Sequence, residues 1–418
     1  MTGVVARVSS ADLRRLAADV RAHASDHRSL GVRDIVAFLD AFAARLSRSP
    51  EALGVEGAAF LCLWMRRAHL ESLLEGLPGG MAAFDGGFDG RGRRVRAHPV
   101  GLVCHWTAGN VPTVALFSWA LALLTCNVSI IRVSEEALAS VEALVPVLAA
   151  SATESIAGAR LLEGVRFIHF DREDRDAHAE MSMLADCKIV WGGQTAVSAI
   201  SALARPQHCN EIVFGPKYSL GVIDRAVLAD RVSAADCIRA FVRDVLAFEQ
   251  AACTSPQTIF FEPSGLNAEA VRDAFAHELE RSARARPKAQ IDFFTASQIY
   301  AARTAWGLTE GKSFRGSRGA DWTVCLDSTL ELKEAVQSRT LFLVEVADAM
   351  AVADLVTPRV QTIGLAMPAG ARALEFAERA GVRGATRIVR PGNMNLYDLP
   401  WDGRMPLSEL VRWVSVSL

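Results

Sequence analysis

The chain predicts an α/β protein of two packed units behind a helical N-terminal segment, and three observations carry that prediction. Apolar, β-branched runs alternate with helical periodicity over residues 99–203, and again over residues 258–367. At 418 residues the chain is too long for one simple core. Residues 8–75 are instead rich in Ala, Leu and Arg, with apolar positions three and four apart.

Taken in order, Ser9-Ser-Ala-Asp12 and Gly31-Val-Arg-Asp34 have the pattern of helix starts. Glycines crowd Phe84-Asp-Gly-Gly-Phe-Asp-Gly-Arg-Gly92, which marks turns or a short hairpin. Strands are expected at Pro99–His105, Val128–Val133, Val165–Phe170 and Cys187–Trp191, with helices at 112–125, 135–151, 174–184 and Thr195–Leu203. Ile212–Ile223 has strand character, and 233–251 reads as one long amphipathic helix. Beyond Cys253 come strands at Thr258–Phe261, Thr323–Leu326, Leu341–Val346 and Val360–Met367, with helices at 267–284 and 348–356. The tail carries a Trp401-Asp-Gly turn and is expected to close on a helix. The expected division is a helical segment 1–83, a first α/β domain 84–250, a second 251–385, and a tail 386–418 that returns to the first.

Val111–Ile131 is nearly all apolar and about long enough to cross a bilayer. Pro112, Thr113, Ser118, Thr125, Asn127 and Ser129 interrupt it, and it divides into a helix and a β-branched strand. A buried helix followed by a central strand is therefore expected, not a membrane span. The composition, 51% hydrophobic and 22% charged with a net charge of −2, suits a packed globular protein. Arg91–Arg96 and Arg281–Lys288 lack interleaved aromatics and read as solvated faces, so no nucleic-acid partner is expected. The eight cysteines form no close pair, no Cys-x-x-Cys and no cluster with zinc-ligand spacing. With no secretory pattern at the N-terminus, a reducing cytoplasm and no metal are expected.

Three segments set polar residues where a strand gives way to a helix. In Pro99-Val-Gly-Leu-Val-Cys-His-Trp-Thr-Ala-Gly-Asn-Val-Pro112, Asn110 stands where α/β sheets place ligands and can donate to an oxyanion. It can equally cap the helix that Pro112 opens, and the segment alone favours the cap. Ile130-Ile-Arg-Val-Ser-Glu-Glu136 ends a strand in Arg132, Ser134 and Glu135, which suit a ribose and phosphate or a helix N-terminus. Val190-Trp-Gly-Gly-Gln-Thr-Ala-Val197 sets glycines before a helix, where an anion can approach the backbone, as could any tight turn. Cys253 in Phe248-Glu-Gln-Ala-Ala-Cys-Thr-Ser-Pro-Gln257 is, by its local sequence, one thiol among eight.

In order, these segments resemble the aldehyde dehydrogenase superfamily, and within it the acyl-CoA reductase branch typified by the LuxC family. His98-Pro-Val-Gly-Leu-Val through Ala108-Gly-Asn-Val-Pro112 resembles the Glu-Pro-Val-Gly strand and Pro-Trp-Asn-Phe-Pro turn. Cys126-Asn-Val-Ser-Ile-Ile-Arg-Val-Ser-Glu135 matches Gly-Asn-Thr-Val-Val-Leu-Lys-Pro-Ser-Glu, and Gly193-Gln-Thr-Ala-Val197 stands where Gly-Ser-Thr-Glu-Val is expected. Ala252-Cys-Thr-Ser-Pro-Gln257 matches the acyl-reductase cysteine motif, and Arg387-Ile-Val-Arg-Pro-Gly392 with Trp401-Asp-Gly403 the C-terminal signature.

The resemblance spans about residues 95–405 and implies a Rossmann-type cofactor domain with a second, catalytic α/β domain. It implies Cys253 as the nucleophile and Asn110 as a donor to the thioester oxyanion, beside the Cys253 backbone N–H. Arg132, Ser134 and Glu135 would hold the adenosine ribose of NAD(P). Gly193, Gln194 and Thr195 would sit by the pyrophosphate, with Thr107 and Ala108 along the cofactor's path. The implied reaction is reduction of an acyl-CoA or acyl-carrier-protein thioester to an aldehyde, in a homo-oligomer. The alternative is the oxidative direction, and less favoured still is a non-catalytic binding subunit. NADPH is the expected cofactor, with NADH possible because Glu135 would bond a free 2′-hydroxyl. Two departures stand out. Glu211-Ile-Val-Phe-Gly-Pro-Lys217 has extra residues where a general-base glutamate precedes Gly-Gly-Lys, and Thr340-Leu-Phe-Leu-Val344 lacks the carboxylate of Glu-Ile-Phe-Gly-Pro.

Overall fold

The computed structural model describes residues 5–288 and 291–417. Two compact units result, Met1–Pro216 with Tyr397–Leu418, and Lys217–Leu396. The first contains, in chain order, β1 (Ala6–Arg7), β2 (Phe88–Asp89), β3 (Arg94–Pro99), β4 (Leu102–Trp106), β5 (Val128–Arg132), β6 (Val165–His169), β7 (Cys187–Trp191) and β8 (Asn210–Phe214). The second contains β9 (Tyr218–Ile223), β10 (Pro256–Phe261), β11 (Ser313–Gly316), β12 (Thr323–Asp327), β13 (Thr340–Glu345), β14 (Val360–Ala366) and β15 (Arg387–Val389). A last strand, β16 (Val411–Val416), belongs to the first unit.

The first unit's main sheet is parallel, in the order β1-β6-β5-β4-β7-β8. The chain runs outward from β4 through β5 to β6, then returns to the other side of β4 for β7 and β8. A topological switch point therefore lies between β4 and β7, where doubly wound sheets open a crevice at their strands' carboxyl ends. Alternation along β4 explains why both faces are covered. Leu102, Cys104 and Trp106 pack with Leu13, Ala17 and Val20 of the helix Ser10–Ala22. Val103 faces the opposite way, into a core with Phe38, Leu39 and Phe42 of the helix Ala24–Leu46. Gly31, at φ +79°, breaks that second helix where the sequence expects a start.

The apolar stretch after Asn110 becomes the helix Val114–Leu124, almost wholly buried, and then β5. The strand expected over Pro99–His105 is instead two strands in two sheets, because Gly101 at φ +131° turns the chain between them. An added Cβ there would lie 2.2 Å from the Asp186 carboxylate. The final helix expected in the tail is a single turn, Pro406–Glu409, followed by β16. Val411-Arg-Trp-Val-Ser-Val416 is rich in β-branched and aromatic residues, and it pairs antiparallel with β3 from Val411↔Pro99 to Val416↔Arg94.

The boundary between units falls at Pro216 and not near residue 250. β8 pairs with β7 while β9 pairs with β10 and β14, so Ile212–Ile223 is divided between two sheets. Likewise β15 pairs with β14, which keeps the chain through Leu396 in the second unit.

The second sheet runs β11-β12-β13-β10-β9-β14-β15, parallel except at the β11 edge. The helix Arg231–Leu246 lies on it through Phe241, which meets two register-paired glycines, Gly221 of β9 and Gly364 of β14. A Cβ at Gly221 would stand 2.6 Å from the Phe241 ring, and one at Gly364 2.7 Å from it. Gly221→Ala is therefore expected to destabilise the second unit by ~1–3 kcal/mol through overpacking. A thermal midpoint in Gly221→Ala equal to wild type would refute this close packing.

Candidate active site

At the carboxyl end of β4 the chain runs through Thr107, Ala108, Gly109 and Asn110. Thr107 is buried, and both its N–H (3.2 Å) and its Oγ1 (3.0 Å) donate to the Arg132 carbonyl, tying β4 to β5. With both donors used, Thr107 can offer a cofactor only acceptor oxygens. Asn110 is exposed, and the cap position of the following helix falls on Thr113, so Asn110 is not the cap that the local sequence favours.

At the end of β5, Arg132 is buried; its Nη2 donates to the Phe170 carbonyl at 3.1 Å and its Cζ lies 5.5 Å from the Phe170 ring centroid. Its Nε and the buried Ser134 Oγ are left without a hydrogen-bond partner. Such orphaned groups are costly unless something outside the chain meets them. Gly109 approaches the same place: a Cβ on it would be 2.9 Å from Ser134 Oγ and 2.7 Å from Glu136 Cβ. The Glu135 carboxylate lies 2.9 Å from His169 Nε2 at the end of β6, while His169 Nδ1 is 3.0 Å from the Val133 carbonyl. Sequence reasoning missed His169 and Gly109. A polar residue ending the strand Val-Arg-Phe-Ile-His169 was the available signal for the first.

Beyond β7, Gly193, Gln194 and Thr195 are exposed at the start of the helix Gln194–Ser201, with Gly193 at the cap position. A Cβ on Gly193 would meet nothing within 4 Å. Gln194 Nε2 donates to Ser198 Oγ at 3.0 Å. An open helix N-terminus across the switch point from two orphaned polar atoms fits a dinucleotide's pyrophosphate and ribose. Glu211 is in β8, with its carboxylate 3.0 Å from the fully buried Lys188 Nζ and 2.7 Å from Arg205 Nη1. Burial pushes its carboxyl up, but hydrogen bonds from Lys188 and Arg205 outweigh this and hold it below the ordinary range. A doubly paired carboxylate is a poor proton acceptor, so the structure speaks against Glu211 as a base.

In the second unit the helix expected to reach residue 251 stops at Leu246. Phe248, Glu249 and Gln250 then take φ of +54°, +50° and +65°. The reason is a set of side-chain anchors. Glu249 pairs with the buried Arg339 (Oε2 to Nε 2.6 Å) and its carbonyl accepts from the Ser338 N–H at 2.9 Å. Gln250 Nε2 donates to the carbonyls of Pro256 (2.8 Å) and Thr340 (3.0 Å). Cys253 follows, ahead of the amino end of β10, and its carbonyl accepts from the buried Ser219 Oγ at 2.6 Å. A helix that ends before the cysteine offers the negative end of its dipole, so it does not supply the thiolate stabilisation that a helix N-terminus would.

Seven of the eight cysteines are buried, and Cys253 alone is partly exposed. Burial pushes the Cys62 thiol up to about 11 and those of Cys126, Cys237 and Cys325 up to about 12. Cys104, Cys187 and Cys209 are raised by the same cause. Only a thiolate attacks, so these seven are inert packing residues.

The sequence model of the family described as acyl-CoA reductase (LuxC) matches residues 29–413. The chain belongs to that family. A long-chain acyl-protein thioester reductase of Aliivibrio fischeri is 28% identical over 332 residues, which is 77% of this chain and 65% of the relative. One from Photobacterium phosphoreum is 24% identical over 390 residues, 92% of this chain and 75% of the relative. This chain thus spans about two thirds of the Aliivibrio relative's length, at 65%. Among solved structures, aldehyde dehydrogenase 21 of Physcomitrella patens superposes with a TM-score of 0.71 at 13% identity, covering 98% of this chain and 91% of that one. Glyceraldehyde-3-phosphate dehydrogenase of Methanocaldococcus jannaschii, complexed with NADP, gives 0.68 at 10% identity, covering 99% and 95%. The LuxC-family chain therefore has the aldehyde dehydrogenase fold.

Brief iodoacetamide treatment of the native chain should label Cys253 first, the other seven reacting only after unfolding; peptide mapping with a second thiol modified as fast would contradict this. Asp244, in the helix Arg231–Leu246, is 3% exposed and has its carboxyl pushed up by burial to about 7 from 3.8, against backbone hydrogen bonds and the charges of Arg243 and Arg387. Its folded value lies above its unfolded one, so its contribution is complete below the unfolded value and is lost as pH rises through about 7. The stability of wild type minus that of Asp244→Asn should thus be greater at pH 5 than at pH 8, by on the order of 1 kcal/mol per pH unit crossed. A pH-independent difference in denaturant titrations would overturn that assignment.

Proposed function

We propose that this chain reduces an acyl thioester, delivered by CoA or an acyl carrier protein, to the aldehyde through an acyl group held on Cys253. The single observation behind the proposal is that the one partly exposed cysteine of eight is the one in the motif Ala252-Cys-Thr-Ser-Pro-Gln257. Membership of the acyl-CoA reductase family and the activity named for its relatives support it.

In this reading the Cys253 thiolate bonds to the acyl carbon, and the thioester C–S bond breaks to release the carrier thiol. NAD(P)H, when bound, supplies the hydride that reduces the acyl group. The Cys253 Sγ–C bond then breaks, freeing the aldehyde and restoring the thiolate. The Cys253 backbone N–H and the Asn110 side chain are assigned, on family resemblance, as donors to the oxyanion. Arg132 Nε and Ser134 Oγ, the orphaned pair, would meet the ribose, and the N–H groups at Gln194 and Thr195 the pyrophosphate. Because the Arg132 guanidinium interacts with the charges of Glu136 and Glu135, the negative charge that would repel a 2′-phosphate is offset, and NADPH is the proposed cofactor over NADH. Glu211, in the stretch nearest the general-base motif, is locked in ion pairs and is a poor activator of water, which favours the aldehyde-forming direction over hydrolytic oxidation.

Spectrophotometry separates the readings. Oxidation of NADPH should accompany long-chain acyl-CoA, with a higher kcat/KM than NADH, whereas NADP+ reduction by an aldehyde without CoA should be negligible. Brisk CoA-independent aldehyde oxidation would favour the opposite direction. Asn110→Ala should lower turnover ~100-fold, as loss of one oxyanion donor does elsewhere; unchanged turnover would remove Asn110 from the site.

A further inference from the structure

The stretch Arg390-Pro-Gly-Asn-Met-Asn-Leu396 after β15 is neither helix nor strand, yet the buried Asp244 and the half-buried Arg387 hold it. The N–H groups of Gly392 (2.5 Å) and Met394 (3.2 Å) donate to the two carboxylate oxygens of Asp244. The carbonyls of Asn393 (3.0 Å), Met394 (2.7 Å) and Leu396 (2.6 Å) accept from the Arg387 guanidinium. Gly392 has φ +88°, a left-handed conformation that favours glycine at this position.

Asn395 converts this rigidity into an anchor. Its Nδ2 donates to the Asp244 backbone carbonyl at 3.0 Å, which fixes which way the amide faces. Its Oδ1 then accepts from Thr254 Oγ1 at 2.6 Å and from Ser255 Oγ at 3.4 Å. Those are the two residues after Cys253, and at 4% and 0% exposure neither is placed to touch a substrate. On the other side, the Ser219 hydroxyl that donates to the Cys253 carbonyl itself accepts from the Thr362 N–H at 3.2 Å. The peptide after the nucleophile is therefore gripped at its carbonyl by β9 and at its next side chain by the loop.

We propose that Asn395, acting through Thr254, is a positioning residue that holds Cys253 in its reactive orientation, with Asp244 and Arg387 as its foundation. The proposal rests on reading Cys253 as the nucleophile, and it adds a task for the Arg387–Leu396 segment that substrate or cofactor contact does not provide. An off-line nucleophile reacts slowly even when its substrate binds normally, and misplacement by about 1 Å can cost ~100-fold.

The test uses the full chain with Thr254→Val, Thr254→Ser, Asn395→Ala and the Thr254→Val/Asn395→Ala pair, each also checked for its thermal midpoint. The readouts are the second-order rate of Cys253 alkylation by iodoacetamide, and kcat and KM with an acyl-CoA and NADPH. Thr254→Val should change the alkylation rate severalfold and lower kcat about tenfold or more with KM within about threefold, and Thr254→Ser should rescue both. The double variant should be no worse than the more damaged single, since both break one link. A Thr254→Val protein with wild-type alkylation rate and kcat overturns the positioning role, as do fully additive losses. So does a lowered thermal midpoint with kcat per folded molecule unchanged, which is what a structural bond alone would give. Cys253→Ala keeps the two claims apart. Full turnover in it defeats the nucleophile reading whatever Thr254→Val does, while lost turnover in it beside a normal Thr254→Val defeats only the positioning role.

Discussion

Three consecutive residues with side chains, Phe248, Glu249 and Gln250, turn left-handed just ahead of Cys253. Each costs roughly 1–2 kcal/mol relative to an ordinary conformation, so the turn persists only because its surroundings hold it. What holds it is a second left-handed run, Gln337, Ser338 and Arg339 at φ +62°, +52° and +58°, placed before β13. The two runs are joined by the Ser338–Glu249 backbone bond, the Glu249–Arg339 pair and the Gln250–Thr340 bond. With Arg339 only 2% exposed, its charge depends on Glu249, which makes the turn hard to relax without leaving a buried cation. The same turn ends the helix at Leu246 and leaves Cys253 partly exposed while its seven counterparts are sealed in cores.

The candidate site residues lie at opposite ends of the strands in the two sheets. In the first, Thr107–Asn110, Arg132–Glu135 and Gly193–Thr195 all follow strands at their carboxyl ends, on both sides of the switch point, as open α/β sheets lead one to expect. In the second, the carboxyl ends are occupied by a satisfied ionic cluster. Glu262, fully buried, accepts from Arg225 Nε (3.0 Å), Arg372 Nη2 (2.6 Å) and the Ala349 N–H (2.6 Å), and Arg372 also bonds Asp224 at 2.9 Å. Cys253 instead precedes the amino end of β10.

Much of the fold was legible because strands buried on both faces read as continuous apolar runs, as Val128–Arg132 and Thr340–Glu345 do. What was not legible depended on tertiary partners. Nothing local marks Phe248–Gln250 as left-handed, since no glycine stands there and the anchor at Arg339 is ninety residues away in sequence. Ile212–Ile223 reads as one strand because the sheet each half joins is decided elsewhere, and Val411–Val416 read as helix until β3 offered an edge. The helices Ile156–Glu163 and Phe293–Leu308 were also unforeseen, the latter with Phe293 and Phe294 exposed, against the usual apolar-inside pattern. At the candidate site, residue types at strand ends were readable, but their pairings were not. Glu135 facing His169, and Glu211 held by Lys188 and Arg205, each join separate strands or loops and change what the carboxylate can do.

Whether Cys253 carries the acyl group decides the proposed reaction. Intact-protein mass spectrometry after incubation with long-chain acyl thioesters, without reduced cofactor, measures this directly. The expected result is a single adduct of the acyl mass on wild type and none on Cys253→Ala. No adduct with any thioester, or an adduct that persists in Cys253→Ala, would contradict it.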